Sequence, residues 1–142
     1  MSRLVRLKLL VDLAEQELDK AQLTLKQLST NRDMTAQQIE DLKSYRQDYM
    51  ARLTASGTML PIQLSTTQAF INRLNQAIEG QQKQLESQQT LCEQAREQWL
   101  EKRVRLQAMQ KLYQKVEKQV VYAENRVEQK MLDDLAAQNF RR

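Results

Sequence analysis

Ser56-Gly57-Thr58-Met59-Leu60-Pro61 holds one of the two glycines and the only proline of this 142-residue chain. Glycine can close a helix in the left-handed conformation, and proline cannot continue one. On both sides of this window stand strong helix formers, with 21 Leu and 22 Gln among the Ala, Glu, Lys and Arg. A compact domain would need turn residues throughout its length, and only 5% of the residues are aromatic, which argues against a sheet. The window therefore predicts one break between two long helices. Downstream, Ser65-Thr66-Thr67-Gln68 has the form of a capping box. The expected elements are helix 1 over about residues 3–55, a turn over about 56–65 and helix 2 over about 66–138. Gly80 falls inside helix 2, where it costs about 1 kcal/mol relative to Ala and marks a soft spot rather than a second turn.

Spacing sets the architecture. Positions 4, 7, 11, 14, 18, 21, 25, 28, 32, 35, 39, 42, 46, 49 and 53 alternate by three and four, and 12 of these 15 are apolar. In helix 2 the series runs Ile71, Leu74, Ile78, Leu85, Cys92, Ala95, Trp99, Leu106, Met109, Tyr113, Val116, Val120, Ala123 and Val127. Gln81, Gln88 and Lys102 interrupt it. A 3.5-residue period sustained this far winds two helices into a left-handed coiled coil, and a short connection makes them antiparallel. The fold class is all-α: a single antiparallel two-helix hairpin.

If Leu53 packs near Thr66, paired residue numbers sum to about 119, which brings Leu4 near Lys115. Helix 2 then overhangs helix 1 by about 20 residues, roughly 30 Å. Val120, Ala123, Val127, Met131, Leu132 and Leu135 stay apolar there without an intramolecular partner. Fraying or homodimerisation would account for this, but an apolar stripe kept beyond the hairpin fits another protein better.

Residues 1–8 and 102–118, side by side in this register, hold Arg3, Arg6, Lys8, Lys102, Arg103, Arg105, Lys111, Lys115 and Lys118 against one acid, Glu117. The whole chain carries only +4. Scattered lysines usually mean a solvated face. One cationic collar at the base of an apolar overhang points instead to an acidic partner surface. Nucleic acid is the weaker reading, because no exposed aromatics are interleaved for base stacking.

Near the break, Gln38 and Tyr45 lie one residue off the helix 1 seam and seven apart, and Phe70 and Ala77 flank the helix 2 seam likewise. The register opposes Tyr49 to Phe70, Tyr45 to Leu74 and Leu42 to Ala77. These rings either pad the coil or form a docking patch. Cys92 and Trp99 read as core. With no His and one Cys, zinc sites and His-dependent triads have no residues to build them, and no cofactor is expected. No apolar run, Leu9-Leu10-Val11 included, approaches the roughly 20 residues of a membrane span. A lone cysteine and an N-terminus interrupted by Arg3, Arg6 and Lys8 fit a reducing cytosol.

Five blocks in order carry a family resemblance. Leu13–Asp19 (LAEQELD), Gln38–Tyr49 (QIEDLKSYRQDY), Phe70–Ile78 (FINRLNQAI), Trp99–Ala108 (WLEKRVRLQA) and Ala123–Asp134 (AENRVEQKMLDD) are similar to the FliJ family of flagellar type III export proteins. The resemblance implies a non-enzymatic coiled-coil stalk like that at the centre of rotary ATP synthases. It implies insertion of the free helical end into the hexameric export ATPase (FliI) ring, which promotes the ring's assembly and activity. It implies contact with the cytoplasmic domain of the export gate (FlhA) and escort of emptied export chaperones. The expected place is the cytoplasmic face of the inner membrane at the flagellar base, without membrane insertion. By resemblance the gate-binding face is Gln38, Leu42, Tyr45, Tyr49, Phe70, Leu74 and Ala77. Gln81 stands where a His can occur in relatives, so a histidine-dependent role would not transfer. For the ATPase ring the expected contacts are Arg3, Arg6, Lys8, Arg103, Lys111 and Lys115 of the collar, with Val120, Val127, Met131 and Leu135 of the overhang. The alternatives are the equivalent stalk of a virulence injectisome, a nucleic-acid-binding coiled-coil arm and a scaffold that homodimerises through the overhang.

Overall fold

A computed structural model describes residues 2–55, 57 and 60–140. It contains two helices, α1 (Arg3–Ala55) and α2 (Pro61–Phe140), and no strand among the described residues. Ser2 caps α1: its Oγ accepts from the Val5 backbone N–H at 3.2 Å and its carbonyl from Arg6 N–H at 3.1 Å. Gly57 has φ +47°, the left-handed value that glycine adopts without strain. Ser56, Thr58 and Met59 of the expected turn lie outside the described residues.

The start of α2 differs from the expectation of about 66. Pro61 is its first residue, and Leu64 N–H already donates to the Leu60 carbonyl at 3.0 Å. A proline's missing N–H is harmless in a first turn and its fixed φ suits the helix, so Pro61 opens this helix rather than holding it off. Ser65 and Gln68 are inside the helix and form no cap; Thr66 and Thr67 hydroxyls donate to the carbonyls of Ile62 and Gln63, four residues back. At the far end α2 runs to Phe140, slightly past the expected 138. It passes through Gly80 unbroken.

The helices pack as an antiparallel hairpin whose described residues fall into two compact units, 22–98 and 1–21 with 99–142. In the first, Arg46 Nη1 donates to Asn75 Oδ1 at 2.9 Å, and the Tyr49 and Phe70 rings lie 4.6 Å apart between centroids. In the second, Lys102 Nζ donates to Glu17 Oε2 at 3.2 Å. Tyr49 with Phe70 and Glu17 with Lys102 each obey the register in which paired numbers sum to about 119.

All fifteen expected seam positions of α1 are buried or half-buried, as is the α2 series from Ile71 to Val116. The core is thin. Leu7, Ala14, Thr35, Ile39, Leu74, Ile78, Cys92, Ala95 and Val116 are the buried residues, and no large side chain among the described residues is wholly enclosed. Cys92 is free and buried, the core role its seam position implies.

Candidate protein-binding surfaces

In unit 22–98 three rings meet. Tyr45 stacks edge-on against Tyr49 at 5.1 Å and against Phe70 at 5.9 Å, while Arg52 lies over the Tyr49 ring at 5.5 Å. The register alone predicts Tyr45 opposite Leu74; its ring instead belongs to the cluster around Phe70. The three rings are not equally buried. Tyr49 and Phe70 are half-buried in the interface, whereas Tyr45 is 47% exposed. The Tyr49 phenol beside it, through hydrogen bonding and charge, holds the Tyr45 pKa above the ordinary 10, and slight desolvation adds to this.

Beside this cluster Gln38, Asp41, Leu42, Tyr45 and Gln81 line an open groove of about 500 Å³. Of the residues expected by resemblance to bind the export gate, Gln38, Leu42 and Tyr45 share this groove, Tyr49 and Phe70 form the adjoining rings, Leu74 is buried in the seam and Ala77 is exposed. Gln81 does more than interrupt the seam. It also lines the groove, with an Oε1 that is buried without a hydrogen-bond partner, as is that of Gln88. Such an oxygen costs roughly 1–3 kcal/mol, so these layers are weak points of the seam.

In unit 1–21 with 99–142 the collar is smaller than the residue count suggests. Glu17 takes Lys102 at 3.2 Å and Arg105 at 3.9 Å, which neutralises part of it. Glu17 lies outside the 1–8 window in which the sequence places the collar. Its register partner Lys102, a charge on a seam position, is the signal that could have found it. Arg103 lies over the Trp99 ring at 5.5 Å, and the Trp99 Nε1 is buried without a partner. Arg3, Arg6, Lys8, Lys111, Lys115 and Lys118 are exposed and form no ion pair among the described residues.

Beyond Val116 every described residue of α2 is exposed. Val120, Val127, Met131 and Leu135 are thus on a helix with nothing against it, and Val127 and Met131 are each 61% exposed. Ala123, Glu124, Val127, Glu128 and Met131 line a shallow groove of about 370 Å³ on this segment.

A helical hairpin that leaves an apolar stripe bare on one helix and an aromatic cluster at its rim belongs to the coiled-coil proteins whose exposed faces are available to partners. Sequence comparison gives the particular family. The family described as "Flagellar FliJ protein" matches residues 2–142, and the chain belongs to it. A "Flagellar FliJ protein" of Salmonella typhi is 32% identical over 132 residues, covering 92% of this chain and 90% of the relative. One of Escherichia coli (strain K12) is 31% identical over 129 residues, covering 89% and 88%.

Proposed function

We propose that this chain is a stalk component of the flagellar protein export apparatus, acting by contact rather than by catalysis. Its overhang enters the hexameric export ATPase ring and promotes the ring's assembly and activity, with Arg3, Arg6, Lys8, Arg103, Lys111 and Lys115 against acidic groups at the ring's mouth. The rim around Gln38, Leu42, Tyr45, Tyr49, Phe70, Leu74 and Ala77 contacts the cytoplasmic domain of the export gate, and the protein escorts emptied export chaperones. It works in the cytoplasm, peripheral to the inner membrane at the flagellar base. No helix among the described residues is long and apolar enough to cross a membrane.

Family membership supports the export role, and one observation supports the ring: the seam pattern continues past Val116 while burial stops there. A solvated helix end has no use for Val120, Val127, Met131 and Leu135, whereas a partner that encloses it would bury about 1.5–3 kcal/mol worth of side chain at each. Deleting residues 119–142 removes no packed residue among those described, so the truncated chain keeps its melting temperature. It loses stimulation of the cognate ATPase. Full stimulation by the truncated chain in a steady-state ATPase assay would refute the ring assignment.

A further inference from the structure

Within the unit of 1–21 with 99–142, the base of the hairpin sorts its charges onto opposite flanks. Glu17 and Arg105, 3.9 Å apart, mark one flank. In a coil of period 3.5, a residue seven places away returns to the same face. Leu10 and Arg3 therefore fall on this flank of α1, and Leu112 on this flank of α2. Arg6, Leu13 and Lys115, each three residues further along, stand beside them. Residues 3–13 and 105–119 contain two acids, Asp12 and Glu117. Both lie roughly 140–160° round their helices from Leu10 and Leu112, on the opposite flank.

Leu10, Leu13 and Leu112 are between 38% and 50% exposed, and none of them is on the seam. Arg3, Arg6 and Lys115 are exposed and form no ion pair among the described residues. An exposed leucine or a solvated cation is ordinary by itself. Together they make a leucine strip edged with positive charge and free of acid, which the coil itself has no use for.

That combination restricts what can lie against the flank. A second copy related by a two-fold axis would set the same patch against itself, cation on cation. An acidic protein surface would satisfy the cations but leave the leucines against polar groups. An anionic bilayer answers both features at once. Its phosphates lie at the level of the cationic heads, and the acyl boundary just beneath receives the leucines and the stems of Arg and Lys.

We propose that this flank lies on an anionic lipid surface, with Leu10, Leu13 and Leu112 in the acyl boundary and Arg3, Arg6 and Lys115 on the phosphates. The contact is peripheral and goes beyond the ring and gate contacts above. The three cations also belong to the collar, so lipid and ATPase ring compete for this end of the rod. The leucines serve the lipid contact alone.

The experiment floats full-length protein on a density gradient with vesicles of phosphatidylcholine alone or of phosphatidylcholine mixed with phosphatidylglycerol. It needs no ATPase, so its outcome is independent of the ring assignment. The protein should rise with the anionic vesicles and stay behind with the neutral ones. Binding should fall at high salt, where exposed charges are screened beyond about 3 Å. Leu10→Gln, Leu13→Gln and Leu112→Gln combined should lower the bound fraction at least about fivefold, with unchanged helicity by circular dichroism. Arg3→Glu, Arg6→Glu and Lys115→Glu combined should abolish binding. Val127→Gln with Met131→Gln should leave it intact, and a loss there would move the contact to the overhang and overturn the proposal. Undiminished flotation of the leucine variant would also overturn it, reducing the flank to a solvated cationic collar, as would equal binding to both kinds of vesicle. Failure to float at all would refute the lipid contact. If the leucine variant then needed a higher concentration for half-maximal ATPase stimulation, the flank would belong to an acidic protein surface instead.

Discussion

Val116 and Val120 are one turn apart on α2 and occupy the same seam, yet the first is 4% exposed and the second 37%. Further along the same helix the contrast widens, with Leu132 at 55%. Little in the local sequence changes between the two valines: side chain, helix propensity and a place on the seam are all shared. What changes is the opposing helix: α1 begins at Arg3, which the register sets opposite Val116. A heptad pattern states what a helix can bury, and its partner decides what it does bury.

The sharpest way to break this comparison is to place the same charge on both sides of it. Val116→Asp should bury an uncompensated carboxylate and cost several kcal/mol, lowering the thermal melt of the hairpin steeply. Val127→Asp should shift stability by no more than about 0.5 kcal/mol, since its side chain already faces water. Equal effects on the two melting curves would mean that the overhang is packed in solution.

The next effect concerns the aromatic rim. Removing Tyr45 and Phe70 together should cost the hairpin about 1–2 kcal/mol from lost ring contacts, since Phe70 is half-buried. Export-gate binding should fall by roughly 30-fold, the effect of truncating an aromatic anchor, while ATPase stimulation persists. A pull-down with the gate's cytoplasmic domain, run beside the ATPase assay, separates the surfaces; loss of both activities with an intact melt would merge them.

Smaller still is the ion pair on the seam. Glu17→Ala should cost about 0.5–1 kcal/mol, because Glu17 and its partners are each about a third or more exposed and water screens them. The loss should shrink as salt is added. A salt-independent loss would point to lost packing of the Glu17 stem instead.

The smallest effect is spectroscopic. Tyr45 should ionise above the ordinary 10, because the neighbouring Tyr49 hydroxyl favours its neutral form. The fold favours the neutral phenol, so this contribution is full below the unfolded value and is lost as pH rises through the folded one. Tyr49→Phe removes that hydroxyl and should bring the titration down in a phenolate absorbance measurement.

Much of this was legible in the sequence because a two-helix coil has only one interface, and a period of 3.5 identifies it. Every seam position of α1 from Leu4 to Leu53 is shielded as the spacing requires, and the register assigned from the break reappears in Tyr49 with Phe70 and in Glu17 with Lys102. The start of α2 was not legible, because proline is compatible with both a break and a first turn, and only the backbone bond to Leu60 distinguishes them. Side-chain reach was also hidden. Arg46 and Lys102 interrupt the apolar pattern, but each extends from the seam to a polar group on the other helix, Asn75 and Glu17. Spacing counts them as breaks, and their length makes them cross-links.

That no large side chain among the described residues is wholly enclosed has a thermodynamic consequence. The heat-capacity change of unfolding grows with the apolar surface exposed, and a coil whose interface residues are mostly half-covered has little to expose. Its stability curve should be broad and shallow, with cold and heat each removing little free energy per degree. Scanning calorimetry would then show a low-amplitude step between the folded and unfolded baselines, smaller than that of a globular domain of equal length.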